Sequence, residues 1–462
     1  MREPGQILLI SCYELGHQPL GVATPMAFLR RAGFSPEALD LSVEPLDAER
    51  VKRARLAAIS VPMHTALRLG VEAARRIRAA NPGCVICFYG LYAQLNRKYL
   101  LEGIADLCLA GELEELLVAE AQALEKSIPE NRRDERSPPL QRQQYPVPER
   151  HGLPSLERYA HLEYQGERRL AAAVEASRGC KYHCRHCPIP PVYGGRFFVV
   201  PLQVIELDVA HLVSRGVRHI TFADPDFLNG PKHALRVVES LHKRFPELTF
   251  DFTSKVEHLV KHQQILSELR RCGCLFVVTA VESLSDKVLS ILDKGHTRHD
   301  VFTALEVTRK AGLALRPSLV SFTPWTTLAD YNEVLEVVAA QELVYQVDPI
   351  QYAIRLLVPP GSLLLEHPEM QPYLGPLDSA SYSYRWKHPD SRLDALHPQV
   401  SRIVAEGARE GEDPALTFLR VRDLADSASA SAPTRLEWAP PAAAYHRPLR
   451  LRPPRLTEAW FC

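Results

Sequence analysis

Short apolar runs alternate with amphipathic segments in two series along this chain, and a stretch rich in Pro, Arg and Gln separates the two. This alternation constrains the fold most, because strand–helix–strand succession builds parallel sheets covered by helices. The runs of the first series are ILLIS from Ile7, LAAISV from Leu56, CVICFYG from Cys84 and ADLCLAG from Ala105. Helix-like segments lie around Met26 to Arg31, Leu67 to Ala79 and Glu112 to Glu125. The second series opens with LAAAVEAS from Leu170 and HITFAD from His219, followed by LTFDFTS from Leu248 and LFVVTAVES from Leu275. ALRPSLVSF from Ala314 and PIQYAIRLL from Pro349 supply its fifth and sixth strands. The expected fold class is α/β. A doubly wound, Rossmann-like domain spans residues 1–128, a linker 129–168 and a partial parallel barrel of six β/α units 169–362. Accessory helices span 363–426 and a Pro-rich flexible tail 427–462. In both sheets ligands belong at the carboxyl ends of the strands.

Lys+Arg and Asp+Glu both number 55, so overall charge draws the chain neither to nucleic acid nor to an anionic membrane. No apolar run reaches the roughly 18 residues that span a bilayer, and no signal pattern opens the sequence. A cytoplasmic location is expected. Ten cysteines in a reducing compartment serve metal, redox or packing roles before disulfides.

Three of them form RGCKYHCRHC, at Cys180, Cys184 and Cys187, just after the first strand of the second series. Three thiolates within eight residues can converge on one iron–sulfur cluster and leave one of four irons open. A closed zinc site would need a fourth ligand from His183, His186 or elsewhere. A non-catalytic iron–sulfur or zinc module that senses redox state therefore stands beside the catalytic reading.

The spacing and its placement resemble the radical S-adenosylmethionine (SAM) superfamily, over about Leu170 to Ser362. The resemblance implies a 4Fe-4S cluster on Cys180, Cys184 and Cys187 that chelates SAM and cleaves it reductively. It further implies a small-molecule substrate and an external electron donor of the flavodoxin or ferredoxin kind. Such a protein supplies position and a water-poor pocket, and the cofactors supply the hard chemistry. By the same resemblance His186 packs against adenine, and Asp224 and Asp226 stand near the SAM amino end. Ser254 ends the third strand facing SAM, and Glu282 meets the ribose hydroxyls. The bland alternatives are a solvated turn for the aspartates, a plain strand end for Ser254 and a surface salt bridge for Glu282. Arg316 and Arg355 are either inward cations able to hold a carboxylate or structural ion-pair partners.

In the first domain, HQPLGVATPMAFLRRAGF from His17 resembles the cobalamin-binding domains fused to radical SAM barrels, which implies cobalamin and methyl transfer. The pattern Asp-x-His-x-x-Gly is absent, and the loop after the fourth strand is reduced to YGLYAQLN. A domain that only packs on the barrel is the alternative. Cys12, Cys84, Cys87, Cys108, Cys272 and Cys274 read as core residues. The end LTEAWFC, together with IQYAIRLLVPPGS, resembles CUAEP/CCAEP-tail radical SAM (seleno)proteins. That resemblance implies a selenocysteine beyond Cys462 and a catalytic role for Cys462. It also implies transfer of the 3-amino-3-carboxypropyl group of SAM to a soft element such as arsenic.

Overall fold

Ile7–Ser11 (β1) is buried along its whole length, as a central parallel strand covered by helices on both faces must be. A computed structural model, describing residues 1–126, 140–429 and 451–458, places four strands around it. They are β2 (Glu37–Asp40), β3 (Leu56–Ser60), β4 (Val85–Tyr89) and β5 (Leu107–Leu109). All pairs are parallel in the order β2-β1-β3-β4-β5. This is the doubly wound arrangement expected, with its switch point between β1 and β3. β2, with sequence EALD, lacks the apolar run that marks the other strands and escaped the sequence reading.

The second sheet runs β13-β12-β11-β10-β7-β6-β16. In it β6 (His161–Tyr164) turns into β7 (Glu167–Val174), which is followed by a hairpin of β8 (Ser177–Gly179) and β9 (Phe197–Val199). The parallel run continues with β10 (His219–Phe222), β11 (Thr249–Ser254), β12 (Cys274–Glu282) and β13 (Ala314–Leu319). A separate hairpin pairs β14 (Leu374–Asp378) with β15 (Ser383–Trp386), and β16 (Arg455–Leu456) pairs antiparallel with β6. β6 thus lies in the stretch read as a linker, and β16 in the stretch read as a tail.

PIQYAIRLL does not form the sixth strand. Pro349–Ala353 is a 3-10 turn, and only Arg355 bridges to Phe322. The reason is that side chains replace the ladder: Leu319 N–H donates to Gln351 Oε1 at 2.8 Å, and Ser321 Oγ donates to the Gln351 carbonyl at 2.7 Å. Helices Ser391–Glu410 and Pro414–Ala428 pack into the same core as the barrel, through Leu396, Val400 and Phe418. The two domains join through buried contacts. Tyr159 donates to Asp40 at 2.8 Å, and the Ala160 N–H donates to the Gly16 carbonyl at 2.8 Å.

Candidate functional site

The three cysteines sit in the connection of the β8–β9 hairpin. Gly179, at φ +74, lets the chain leave β8; a Cβ there would come within 2.4 Å of the Arg196 carbonyl. Arg185 then ties the loop to the end of helix Asp286–Leu292. Its N–H donates to Leu292 O at 2.9 Å and its guanidinium to Ile291 O at 2.7 Å, using carbonyls the helix leaves unpaired. On the other side Lys181 Nζ donates to Asn229 O at 2.6 Å. The loop is therefore anchored at both flanks by protein contacts.

Burial pushes the Cys187 thiol up to about 12, and neighbouring Cys184 and Cys180 add to the rise. Cys180 is raised for the same leading reason. Such thiols deprotonate when a cationic centre takes the place of their protons. Among the described residues no three His, Cys, Asp or Glu side chains, these included, close around a point small enough for one metal ion. Three thiols on one anchored loop fit a wider cluster that keeps one iron open.

His186 and Glu282 are brought together. His186 Nε2 lies 3.3 Å from Glu282 Oε1, and Lys294 Nζ donates to the same oxygen at 3.2 Å. Glu282 ends β12 at φ +63, where the register with β13 slips. A non-glycine residue held in that region is strained, and such strain collects where a side chain must be aimed. Burial alone would raise the Glu282 carboxyl, but Lys294 and His186 outweigh it and hold it down at about 2.

The stability Glu282 contributes is fully present above its ordinary value of 4.5 and is lost as pH falls through about 2. Lys294→Met removes the leading counter-charge, so the carboxyl rises toward its ordinary value and the acid loss of stability due to Glu282 shrinks. Denaturation midpoints across a pH series check this; identical acid limbs in both proteins would mean Lys294 does not hold Glu282.

Asp226 and Ser254 also meet. Ser254 Oγ donates to Asp226 Oδ1 at 3.0 Å. Asp226 Oδ2 lies 2.7 Å from His258 Nδ1, a close contact off the hydrogen-bonding line. Asp224 faces the other way and accepts from Ala176 N–H at 2.8 Å and from the Ser177 hydroxyl, bracing the turn that leads into the cysteine hairpin. Burial pushes Asp224 up to about 7. Neither aspartate sits in a solvated turn; both are buried. Arg316 donates to Asp348 at 2.7 Å inside the barrel, whereas Arg355 lies over the Trp386 ring and pairs with Asp394 at 3.0 Å. Cys462 lies outside the described residues.

Lys294, His258 and Asn229 were not singled out from sequence. Their partners lie 12, 32 and 48 residues away, and no local pattern announces them.

Two cavities adjoin this region. One of about 240 Å³ is walled by Asp224, Thr253 and Arg316 of the barrel and by Glu14 and His17 of the loop after β1. A second, of about 960 Å³, lies between His64 and Tyr92 at the carboxyl ends of β3 and β4, His186, Arg355 and helix Ser391–Glu410. Cys12, Cys84, Cys87, Cys108, Cys272 and Cys274 are buried in the cores.

Residues 174–326 match the Radical SAM superfamily. An uncharacterized methyltransferase of Pyrococcus horikoshii is 24% identical over 173 residues, covering 37% of either chain. The hopanoid C-3 methylase of Methylococcus capsulatus is 22% identical over 324 residues, 67% of this chain and 62% of that one. The matches thus span less than two thirds of both relatives. The radical SAM methyltransferase TsrM of Kitasatospora setae, solved with tryptophan and a SAM analogue, superposes with a TM-score of 0.67 at 16% identity. That superposition covers 91% of this chain and 90% of TsrM. The cobalamin-dependent enzyme OxsB, solved with aqua-cobalamin and SAM, superposes with a TM-score of 0.66 at 14% identity, over 90% and 72%. The cysteine loop at the carboxyl edge of the curled sheet and the domain order agree with these matches, and the non-catalytic sensing reading gives way. Residues 174–326 thus carry the match to the Radical SAM superfamily, and the fold, with a Rossmann-like domain ahead of the radical SAM sheet, is that of TsrM and OxsB.

Proposed function

We propose that this enzyme is a cobalamin-dependent radical SAM methyltransferase acting on a small molecule. The observation that carries the reading is the cavity of about 960 Å³, which joins the carboxyl ends of the Rossmann strands to His186 of the cysteine loop. Ligands of doubly wound domains bind at that edge, and the volume is at the upper end of ordinary ligand pockets. His64 Nε2, in the wall of this cavity, is engaged by the Ser381 carbonyl at 2.6 Å. Gly90 brings the loop after β4 against the Val61 carbonyl, where a Cβ would stand 3.1 Å away. Met63, Thr65, Arg68 and Tyr92 would hold it from the Rossmann side.

Cys180, Cys184 and Cys187 hold the cluster in this reading, and cluster and SAM together supply the one-electron bond cleavage. Glu282, kept anionic by Lys294 and His186, takes the SAM ribose hydroxyls; His186 packs beside adenine. Asp226 and Ser254 order the floor beneath the SAM amino end through His258. Electrons come from a flavodoxin- or ferredoxin-like donor. No helix among the described residues is long and apolar enough to cross a membrane. The relatives above offer no support for aminocarboxypropyl transfer to arsenic, and methyl transfer replaces it as the favoured reaction.

The test is anaerobic purification from cells supplied with hydroxocobalamin, followed by incubation with SAM and dithionite. About one equivalent of bound corrinoid and formation of S-adenosylhomocysteine are expected. Protein free of corrinoid that produces 5′-methylthioadenosine would replace methyl transfer by the aminocarboxypropyl reaction.

A further inference from the structure

Residues 451–458 cross the molecule from the accessory helices to the Rossmann-like domain. Arg452 pairs with Asp413 at 2.6 Å and lies over the Tyr345 ring. The Pro454 carbonyl accepts from Arg316 at 3.4 Å. Arg455 pairs with Glu163 at 2.8 Å, and Leu456 packs against Leu162, Leu275 and Phe276. The Thr457 N–H donates to the His161 carbonyl at 2.8 Å, and His161 N–H returns a bond to Thr457 Oγ1 at 2.9 Å. Glu458 then accepts from Tyr13 at 2.9 Å above Gly16, where a Cβ would come within 2.3 Å of its carboxylate. A glycine stands where the segment needs room.

Leu456 and Glu458 line both cavities. Facing them inside the smaller one is His17, which is 7% exposed and whose Nδ1 has no partner. The segment is attached by a two-residue ladder, the Arg455–Glu163 pair at 33% exposure on each side, and contacts at Arg452, Pro454, Leu456 and Glu458.

We propose that Leu451–Glu458 is a strap that completes the substrate cavity when docked across β6 and the loop after β1, and that its release admits the substrate. Leu456 and Glu458 are then walls of the substrate site rather than parts of a tail. The proposal rests on reading the barrel's strand ends as the reaction site. Its test needs neither SAM nor turnover, so the two readings fail separately.

The full-length protein is labelled at carboxyl groups with a carbodiimide and glycine ethyl ester, and the labels are located by mass spectrometry. Three proteins are compared: wild type, Arg455→Glu, and the charge swap Arg455→Glu/Glu163→Arg. With the strap repelled in the single variant, Glu14 and Asp348, which line the cavity, label about fivefold faster. The swap restores the wild-type rate. Equal labelling of Glu14 in all three proteins would show that the segment does not wall the cavity. Labelling raised as much in the swap as in the single variant would assign the effect to general loosening and overturn the strap.

Discussion

Cys184→Ala abolishes SAM cleavage, with a fall on the order of 10³-fold or more, equivalent to roughly 4 kcal/mol of transition-state stabilisation. Cys184 is 7% exposed at the turn where the Cys187 N–H donates to its carbonyl at 3.1 Å, so the substitution leaves the backbone of the loop in place. What disappears is one of three thiolates, and two cannot hold four irons with one left open for SAM. Cys180→Ala and Cys187→Ala behave alike. Cys272→Ala is the contrast. Its sulfur is buried beside Glu268, away from the cysteine loop, and its loss is confined to stability. Iron and sulfide content, the visible absorption of the reconstituted protein and the nucleoside products separate the two cases. A Cys184→Ala protein with full iron content and unchanged SAM cleavage would remove the cluster from this loop.

That site was legible because its chemistry is local. Three cysteines within eight residues name their own partners, and the preceding strand fixes their position at a carboxyl edge. The rest of the site depends on topology. Glu282 is visible at the end of an apolar run, but its anionic state is set by Lys294 one helix later and by His186 from the cysteine loop. Asp226, Ser254 and His258 become neighbours only when β10 and β11 pair.

The fold divides in the same way. Strands buried on both faces, such as β1, β3 and β10, carry apolar runs that can be read directly. Edge and hairpin strands do not: HLEY, SRG and the two residues of β16 have neither length nor alternation. PIQYAIRLL misled because its apolar content suits a strand, while Gln351 supplies a side-chain substitute for the ladder.

Asp208→Ala is expected to destabilise the fold strongly, through a partner that no local pattern marks. Arg150, within the stretch read as a linker, reaches under the first barrel strands. Its Nε and one terminal nitrogen donate to the two oxygens of Asp208, both at 2.8 Å, and it donates to Ala173 O at 2.8 Å. Gln18 of the Rossmann-like domain accepts at 3.4 Å. The side chains are 5% and 3% exposed, so water cannot replace either partner. Removing the carboxylate strands a guanidinium that cannot lose its proton, at a cost of about 3–5 kcal/mol. The double change Arg150→Met/Asp208→Leu removes both charges and recovers most of that loss, because an apolar pair has no desolvation penalty to offset. Denaturant midpoints of the two singles and the double give the coupling directly. A double variant no more stable than Asp208→Ala would locate the cost in packing. Recovery would establish that the cost lies in the stranded guanidinium, at a contact where the segment between the domains meets the barrel wall.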